Sequence, residues 1–290
     1  MTRNNRLGIW LMILAVSMFA AQDGFSRHLA ETYNVTLVVM IRYWVFGAFV
    51  LLWALRRPGG LRSVATTQPI IHVARASLLI AEVCVIIWGY TLIGLIESHA
   101  VFAVCPLLVA AMSGPILGER LGLRGWLAIL AGMTGVLVIL QPGSGVFTPT
   151  ALLPFAAASM FALYSVLTRK ASAKDGSFTS LFWSGTIGAV IITAIGLPQW
   201  EPISPPDWGL MLIYAFLALA ANYVLIKCYE VAEASSVQPF AYLQIVLVSI
   251  IGVVVYAEAL ETHVIIGAAI VIAAGLVTLM TTRATPVDAG

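Results

Sequence analysis

The sequence predicts an all-α polytopic membrane protein, with ten transmembrane helices in two five-helix repeats of inverted topology. Three observations predict it. Ten apolar segments follow one another along the 290 residues. Basic residues gather on one side of those segments. A glutamate-centred stretch recurs after an odd number of spans.

The segments cover roughly 7–26, 35–55, 68–89, 97–117, 124–140, 150–170, 178–197, 208–227, 235–256 and 262–280. Each is about long enough to cross roughly 30 Å of hydrocarbon. Helices are required because an open sheet leaves backbone groups unbonded in lipid. The alternation of a membrane barrel is missing. Composition agrees: 61% of residues are hydrophobic and 10% charged, against about 25% charged in a soluble domain. A net charge of +2 gives no general attraction to nucleic acid.

With the N-terminus inside, 12 of the 15 Lys and Arg residues fall inside. They are Arg3, Arg6, Arg56, Arg57, Arg62, Arg120, Arg124, Arg169, Lys170, Lys174, Lys227 and Arg283. Arg27 falls outside, and Arg42 and Arg75 lie within spans. This is the positive-inside pattern, and it predicts cytoplasmic termini and an inner-membrane location. The opening residues, "RNNRLGIWLMILAVSMFAAQDG", also fit a signal peptide; a retained first span is the reading carried forward. Cys84, Cys105 and Cys228 lack metal-site spacing and read as small buried hydrophobes.

The stretch "GPILGERLGLRGWLAILAGMTGVLVIL" is echoed by "VVVYAEALETHVIIGAAIVIAAGLVTL". Glu119 and Glu258 match, 139 residues apart. Five spans separate them, so one junction faces inside and the other outside. Inverted halves are a basis for alternating access. The predicted organisation is a first repeat over 1–140, an outside linker over 141–148, a second repeat over 149–282 and a cytoplasmic tail over 283–290. Glu119 and Glu258 each stand where a carboxylate meets free amides at the next helix N-terminus; a coupling-ion role is the alternative. Gly132 and Gly135, Gly185 and Gly188, and the small residues of 155–159 permit close helix approach.

These features resemble the drug/metabolite transporter superfamily, specifically the ten-helix EamA-type carriers, over approximately residues 7–280. Pro106, Gly118–Glu119–Arg120–Leu121, Gly132 and Gly135 carry the resemblance. Ala257–Glu258–Ala259–Leu260 departs from it, and Gln244–Ile245 stands where a proline is common. Within that superfamily the chain is most similar to bacterial aromatic amino-acid exporters, the YddG-like group. The resemblance implies a basket of helices around a central cavity, lined by spans 3, 4, 8 and 9 with contributions from 1 and 6. It implies export of aromatic and other neutral amino acids. Other carriers of the superfamily, for purines, vitamins or drugs, are the alternative.

Charges inside spans usually face protein or a water-filled cavity. Arg75 and Glu82 lie seven residues apart, about two turns on one helix face. They read either as cavity groups for a zwitterion or as a structural network with Arg42. Arg75 also lies close enough to the inside to snorkel. Arg42 itself reads as snorkelling or as paired with Asp23 or Glu31. His99 carries an imidazole, the side chain suited to a proton relay, and with Glu82 is a candidate proton carrier. Tyr164, Asn222, Tyr223, Gln238, Tyr242 and Gln244 supply phenol and amide groups suited to a neutral or zwitterionic ligand, or to interhelical hydrogen bonds. Trp44 and Trp183 are the deeper tryptophans; the other six fall near span ends.

No loop is long enough for a catalytic domain. Walker, His-Glu-x-x-His and Gly-x-Ser-x-Gly motifs are missing, and His28, His72, His99 and His263 are dispersed. The reading is a secondary carrier with no catalytic residue, cofactor or metal. Its expected partners are a small-molecule substrate and membrane lipid, and its expected state is a monomer or weak dimer. A non-transporting receptor or assembly protein is the rival class.

Overall fold

Apolar runs in lipid must bond their own backbone, so each long run closes a helical ladder. The computed structural model describes residues 5–118, 123–140, 149–232, 237 and 240–282. Among these residues all repetitive structure is helical. The first half holds α1 (Asn5–Thr32), α2 (Val35–Arg56), α3 (Pro69–Ile93), α4 (Leu95–Phe102), α5 (Cys105–Leu117) and α6 (Leu123–Leu140). The second holds α7 (Leu153–Ala171), α8 (Ser177–Gly196), α9 (Pro205–Val231), α10 (Leu243–Tyr256) and α11 (Thr262–Thr282). The all-α, ten-span architecture is the one expected. The fourth span is divided, running through α4 and α5.

Starts and stops follow local chemistry. Asn34 begins α2 by accepting the Thr36 backbone N–H at 2.9 Å, a side-chain cap. Prolines sit in the first turns of α3, α5, α7 and α9, where the missing N–H costs nothing. Pro106 also explains the divided fourth span: it cannot donate to the Phe102 carbonyl one turn back. The chain turns at Ala103 and Val104 and resumes as α5. A second turn falls at Tyr242, just before α10, at the repeat-equivalent position 139 residues on. Ile245 stands there in place of the proline.

The helices pair across the halves in a pattern that maps onto itself. α1 packs on α9 as α7 packs on α3, and α1 meets α10 as α7 meets α5. α2 packs on α8, and α6 on α11. Glycines permit the closest of these approaches. A Cβ on Gly135 would lie 2.8 Å from the Gly267 carbonyl oxygen, and one on Gly267 2.6 Å from that of Gly135. Gly188 leaves room for the Tyr43 ring and Gly185 for that of Phe46. Cys105 and Cys228 are buried and Cys84 half-buried, all as free thiols, and Cys228 Sγ donates to the Gly8 carbonyl at 3.2 Å.

The same repeat is visible in the backbone before the two glutamates. Gly118 is left-handed at φ 76°, and Ala257, its counterpart, is left-handed at φ 52°. A Cβ in that region costs roughly 1–2 kcal/mol. Ala257→Gly is therefore expected to raise stability by about 1 kcal/mol, less the extra freedom glycine gives the unfolded chain. Thermal unfolding in detergent checks this; an unchanged or lower Tm would mean the strain is relieved elsewhere.

The bundle has a basic and an acidic end. Gln68 on the α2–α3 connection donates to Asp175 on the α7–α8 connection at 3.0 Å, which places Arg57, Arg62, Lys170 and Lys174 together. At the other end Asn34 N–H donates to Glu201 at 2.6 Å and Tyr33 OH to Asp207 at 2.7 Å.

Candidate functional site

Two adjoining chambers occupy the middle of the bundle. α1 runs from the basic to the acidic end and so orders them. It gives Gln22, Asp23 and Ser26 to a polar chamber nearer the acidic end, and Met12 and Val16 to an apolar chamber nearer the basic end. Phe19, Phe102, Phe161, His99 and Gln244 line both and form a collar between them. The divided fourth and ninth spans supply much of this wall, which is where helix breaks in matched repeats place binding sites. The cavity volumes are about 40 and 60 Å³, room for a few waters.

Asp23 is the hub of the polar chamber and is 6% exposed. Its Oδ1 accepts from Gln22 Nε2 at 3.2 Å. Its Oδ2 accepts from Gln244 Nε2 at 3.0 Å and lies 3.1 Å from His99 Nε2. The same His99 nitrogen is 2.8 Å from Tyr90 OH, and the two rings stack at 5.3 Å. With Nε2 protonated, His99 donates to Asp23; with Nε2 bare, Tyr90 donates to it. One carboxylate thus ties α1 to both divided spans, through α4 and α10.

Arg42 and Glu82 line the same chamber from α2 and α3. Arg42 Nη1 donates to Tyr214 OH at 3.2 Å, and its Nε has no hydrogen-bond partner among the described residues. It does not form the expected pair with Asp23 or Glu31; the Tyr214 hydroxyl and the faces of Tyr43 and Tyr214, 5.6 Å away, hold it instead. Glu82 is buried and makes no hydrogen bond or ion pair among the described residues. Asn222 Nδ2 donates to the Ala218 carbonyl at 2.9 Å, and Oδ1 has no partner among the described residues.

Of the residues expected at the site, Glu82, His99, Asn222, Tyr242 and Gln244 line the chambers. Arg75 does not. It sits two turns nearer the basic end, where Nε donates to Thr168 at 2.9 Å and Nη1 lies 3.1 Å from His72 Nδ1. His72 Nε2 in turn lies 2.9 Å from Asp175. This is the structural-network alternative, with His72 and Asp175 in place of Arg42. Partial burial pushes the Asp175 carboxyl upward, but hydrogen bonds from His72, Thr66 and Gln68 outweigh it and hold it below its usual range. Tyr164 lies beneath Arg75, whose guanidinium carbon is 5.2 Å from the ring centre. Tyr223 packs on Trp53. Neither lines a chamber. Gln238 lies outside the described residues.

Nor do the deeper tryptophans reach the chambers. Trp44 is exposed on the outside of the bundle, donating to Thr193 and stacking on Trp200. Trp183 donates to the Val64 carbonyl at the basic end. Asp23 and Gln22 are the members that sequence reasoning passed over as site residues. Their signal was a lone carboxylate inside the apolar run "FAAQDGF".

At the acidic end Glu258 closes the bundle. Its two oxygens accept the backbone N–H groups of Leu95 at 2.7 Å and Ile96 at 2.8 Å, and it pairs with Arg27. The expectation of a carboxylate at a helix N-terminus holds, but for α4 of the other half rather than the following α11. Gly94, at φ 91°, lets the chain present those amides. Tyr256 adds a bond from its hydroxyl to the Gly24 carbonyl at 2.6 Å. Glu119 lies outside the described residues.

Comparison with known proteins agrees with this architecture. A crystal structure superimposes with a TM-score of 0.70 at 18% identity, covering 97% of this chain and 99% of that one. The chain is 30% identical to a riboflavin transporter of Brucella anthropi, over 91% of this chain and 95% of the relative. It is 25% identical to an S-adenosylmethionine uptake transporter of Rickettsia prowazekii, over 93% and 91%. The profile of the EamA-like transporter family matches twice, over residues 6–141 and 148–280, once in each half. The chain belongs to the EamA-like transporter family.

Proposed function

We propose that this chain is a secondary carrier for a small metabolite bearing a flat ring and a polar group, moved across the bacterial inner membrane by alternating access of its two halves. The observation that carries this reading is the pair of mid-bundle chambers, polar and apolar, meeting at an aromatic collar where both divided spans turn. The relatives named for riboflavin and S-adenosylmethionine support a ring-bearing vitamin or cofactor above an aromatic amino acid, so the broader metabolite alternative replaces the amino-acid expectation. The basic end faces the cytoplasm in this reading, as the positive-inside pattern requires, and both termini with it. The repeats are the two halves on either side of residues 141–148. Proton coupling, if the cycle uses it, runs through Glu82 and the His99–Asp23 pair.

Purified protein in liposomes tests the reading. Labelled riboflavin or S-adenosylmethionine is expected to cross, and the unlabelled compound to compete. Tryptophan, phenylalanine and threonine form the second arm, each run with and without a pH gradient. Movement of the amino acids alone would restore the exporter reading and overturn this one.

A further inference from the structure

The polar chamber has a one-sided hydrogen-bonding character. Gln22 uses its amide N–H on Asp23 Oδ1, and Asn222 uses its own on the Ala218 carbonyl. Those bonds fix which end of each amide is oxygen, since a flipped amide would set oxygen against oxygen. Gln22 Oε1 and Asn222 Oδ1 are therefore acceptors, both buried without a partner among the described residues. The unpaired Glu82 carboxylate joins them. Three acceptors thus come from three helices, α1, α3 and α9. Against them stand two donors, Arg42 Nε and the O–H of Tyr214, which accepts from Arg42 and has no acceptor of its own among the described residues. Asp23 is already engaged by Gln22, His99 and Gln244. Buried acceptors left without donors cost free energy in a protein interior, and water or a ligand must supply the missing hydrogens.

We propose that the polar chamber is the subsite for a donor-rich head group, an ammonium or a run of hydroxyls, while the substrate's ring occupies the collar and the apolar chamber. This rests on the carrier reading above and adds to it the division of the substrate between chambers. Phe19, Phe102 and Phe161 offer ring faces and edges at the collar. Gln22 Oε1, Asn222 Oδ1 and the Asp23 carboxylate favour an ammonium or hydroxyl-bearing group over a carboxylate or phosphate, because their oxygens accept hydrogen bonds that an anion cannot donate.

The test compares each ring with and without its head group. Riboflavin is set against lumichrome, which lacks the ribityl chain, and S-adenosylmethionine against 5′-methylthioadenosine, which lacks the amino-acid head. Affinity is read from ligand-dependent Tm shifts in detergent and from competition in liposomes. For the pair that is transported, the compound with its head is expected to bind at least tenfold more tightly. Glu82→Gln and Asn222→Leu are expected to erase that advantage while leaving the headless compound's affinity unchanged. The wild-type comparison needs no variant to fold. Equal affinity for both members of the transported pair overturns the subsite, as does a head-group advantage that survives both substitutions. If the wild type neither binds nor moves any of the four compounds, the carrier reading itself fails for this substrate class. The flavin pair isolates the hydroxyls, whereas the second pair removes an ammonium, a carboxylate and the sulfonium charge together.

Discussion

Asp23→Asn is expected to cut flux at least tenfold in liposomes while leaving a folded protein. The carboxylate takes hydrogen bonds from α4 through His99 and from α10 through Gln244, both on one oxygen. Asparagine can set its one oxygen at that shared position, but its N–H then faces the Gln22 amide N–H on the other side, and the charge that strengthens all three bonds is gone. A hydrogen bond to a charged group contributes about 1.5–3 kcal/mol, and about 1.4 kcal/mol is a factor of ten. Exchanging these charge-assisted bonds for neutral ones and losing the Gln22 bond is thus enough for the tenfold effect if the tie between α1 and the divided spans is part of the cycle. The pH arm separates fastening from coupling. Arg42, Glu82, Tyr90, His99 and Tyr214 are the ionisable groups sharing the chamber with Asp23. If the Asp23–His99 pair carries the proton, wild-type flux responds to an imposed pH gradient, whereas Asp23→Asn and His99→Gln do not. Pairing of Tyr90 with a bare His99 nitrogen supplies the alternative partner once the Asp23 bond opens. Full pH-responsive flux in Asp23→Asn would leave the carboxylate no role in coupling.

Much of the fold was legible because lipid makes it so. A segment of about twenty apolar residues in a membrane has few options, and the positions of the basic residues predict a direction for each one. The glycines were legible for the same reason: Gly135, Gly185 and Gly188 sit where a side chain would strike a neighbouring helix. The site was harder to see. The first span was expected to end near residue 26, which put Asp23 close to the surface as a partner for Arg42. α1 continues to Thr32, so Asp23 lies nine residues from its end, about 14 Å along the axis, in the middle of the bundle. The reverse error befell Arg75. Seven residues correctly placed it on the Glu82 face, but periodicity gives no depth, and the chamber ends at Leu79. Thr168 and His72, supplied by α7 and by the helix's own preceding turn, decided its place. The partner of Glu258 was hidden for a third reason. The repeat located the carboxylate at a junction, yet only tertiary packing brings the α4 amides to it from the other half.

Glu258→Gln is expected to be among the most destabilising single-atom changes in the described bundle, by roughly 3 kcal/mol. The carboxylate serves three donors: the Leu95 and Ile96 amides and the Arg27 guanidinium. Glutamine has one oxygen for them and brings an N–H that has no acceptor in that group. The side chain is 14% exposed, so water replaces little of what is lost. Arg27→Met removes only the ion pair and leaves both amides capped, with a cost nearer 1 kcal/mol. Arg27 also retains Glu31 at 3.2 Å and the Tyr256 ring at 4.1 Å as alternatives. A double-mutant cycle read by thermal unfolding separates the contributions. The order expected is Glu258→Gln well below Arg27→Met, with the double variant close to Glu258→Gln alone. The reverse order would mean that the ion pair, rather than the N-terminal amides of α4, is what the carboxylate is placed to hold. That order also bears on transport, because the amides belong to a divided span and the arginine to α1. If the cap dominates, opening the acidic end requires α4 to leave the Glu258 junction. The Glu258→Gln protein would then favour acidic-end opening, reading out as increased labelling of a cysteine placed at Ser98, whose side chain is buried beneath this seal.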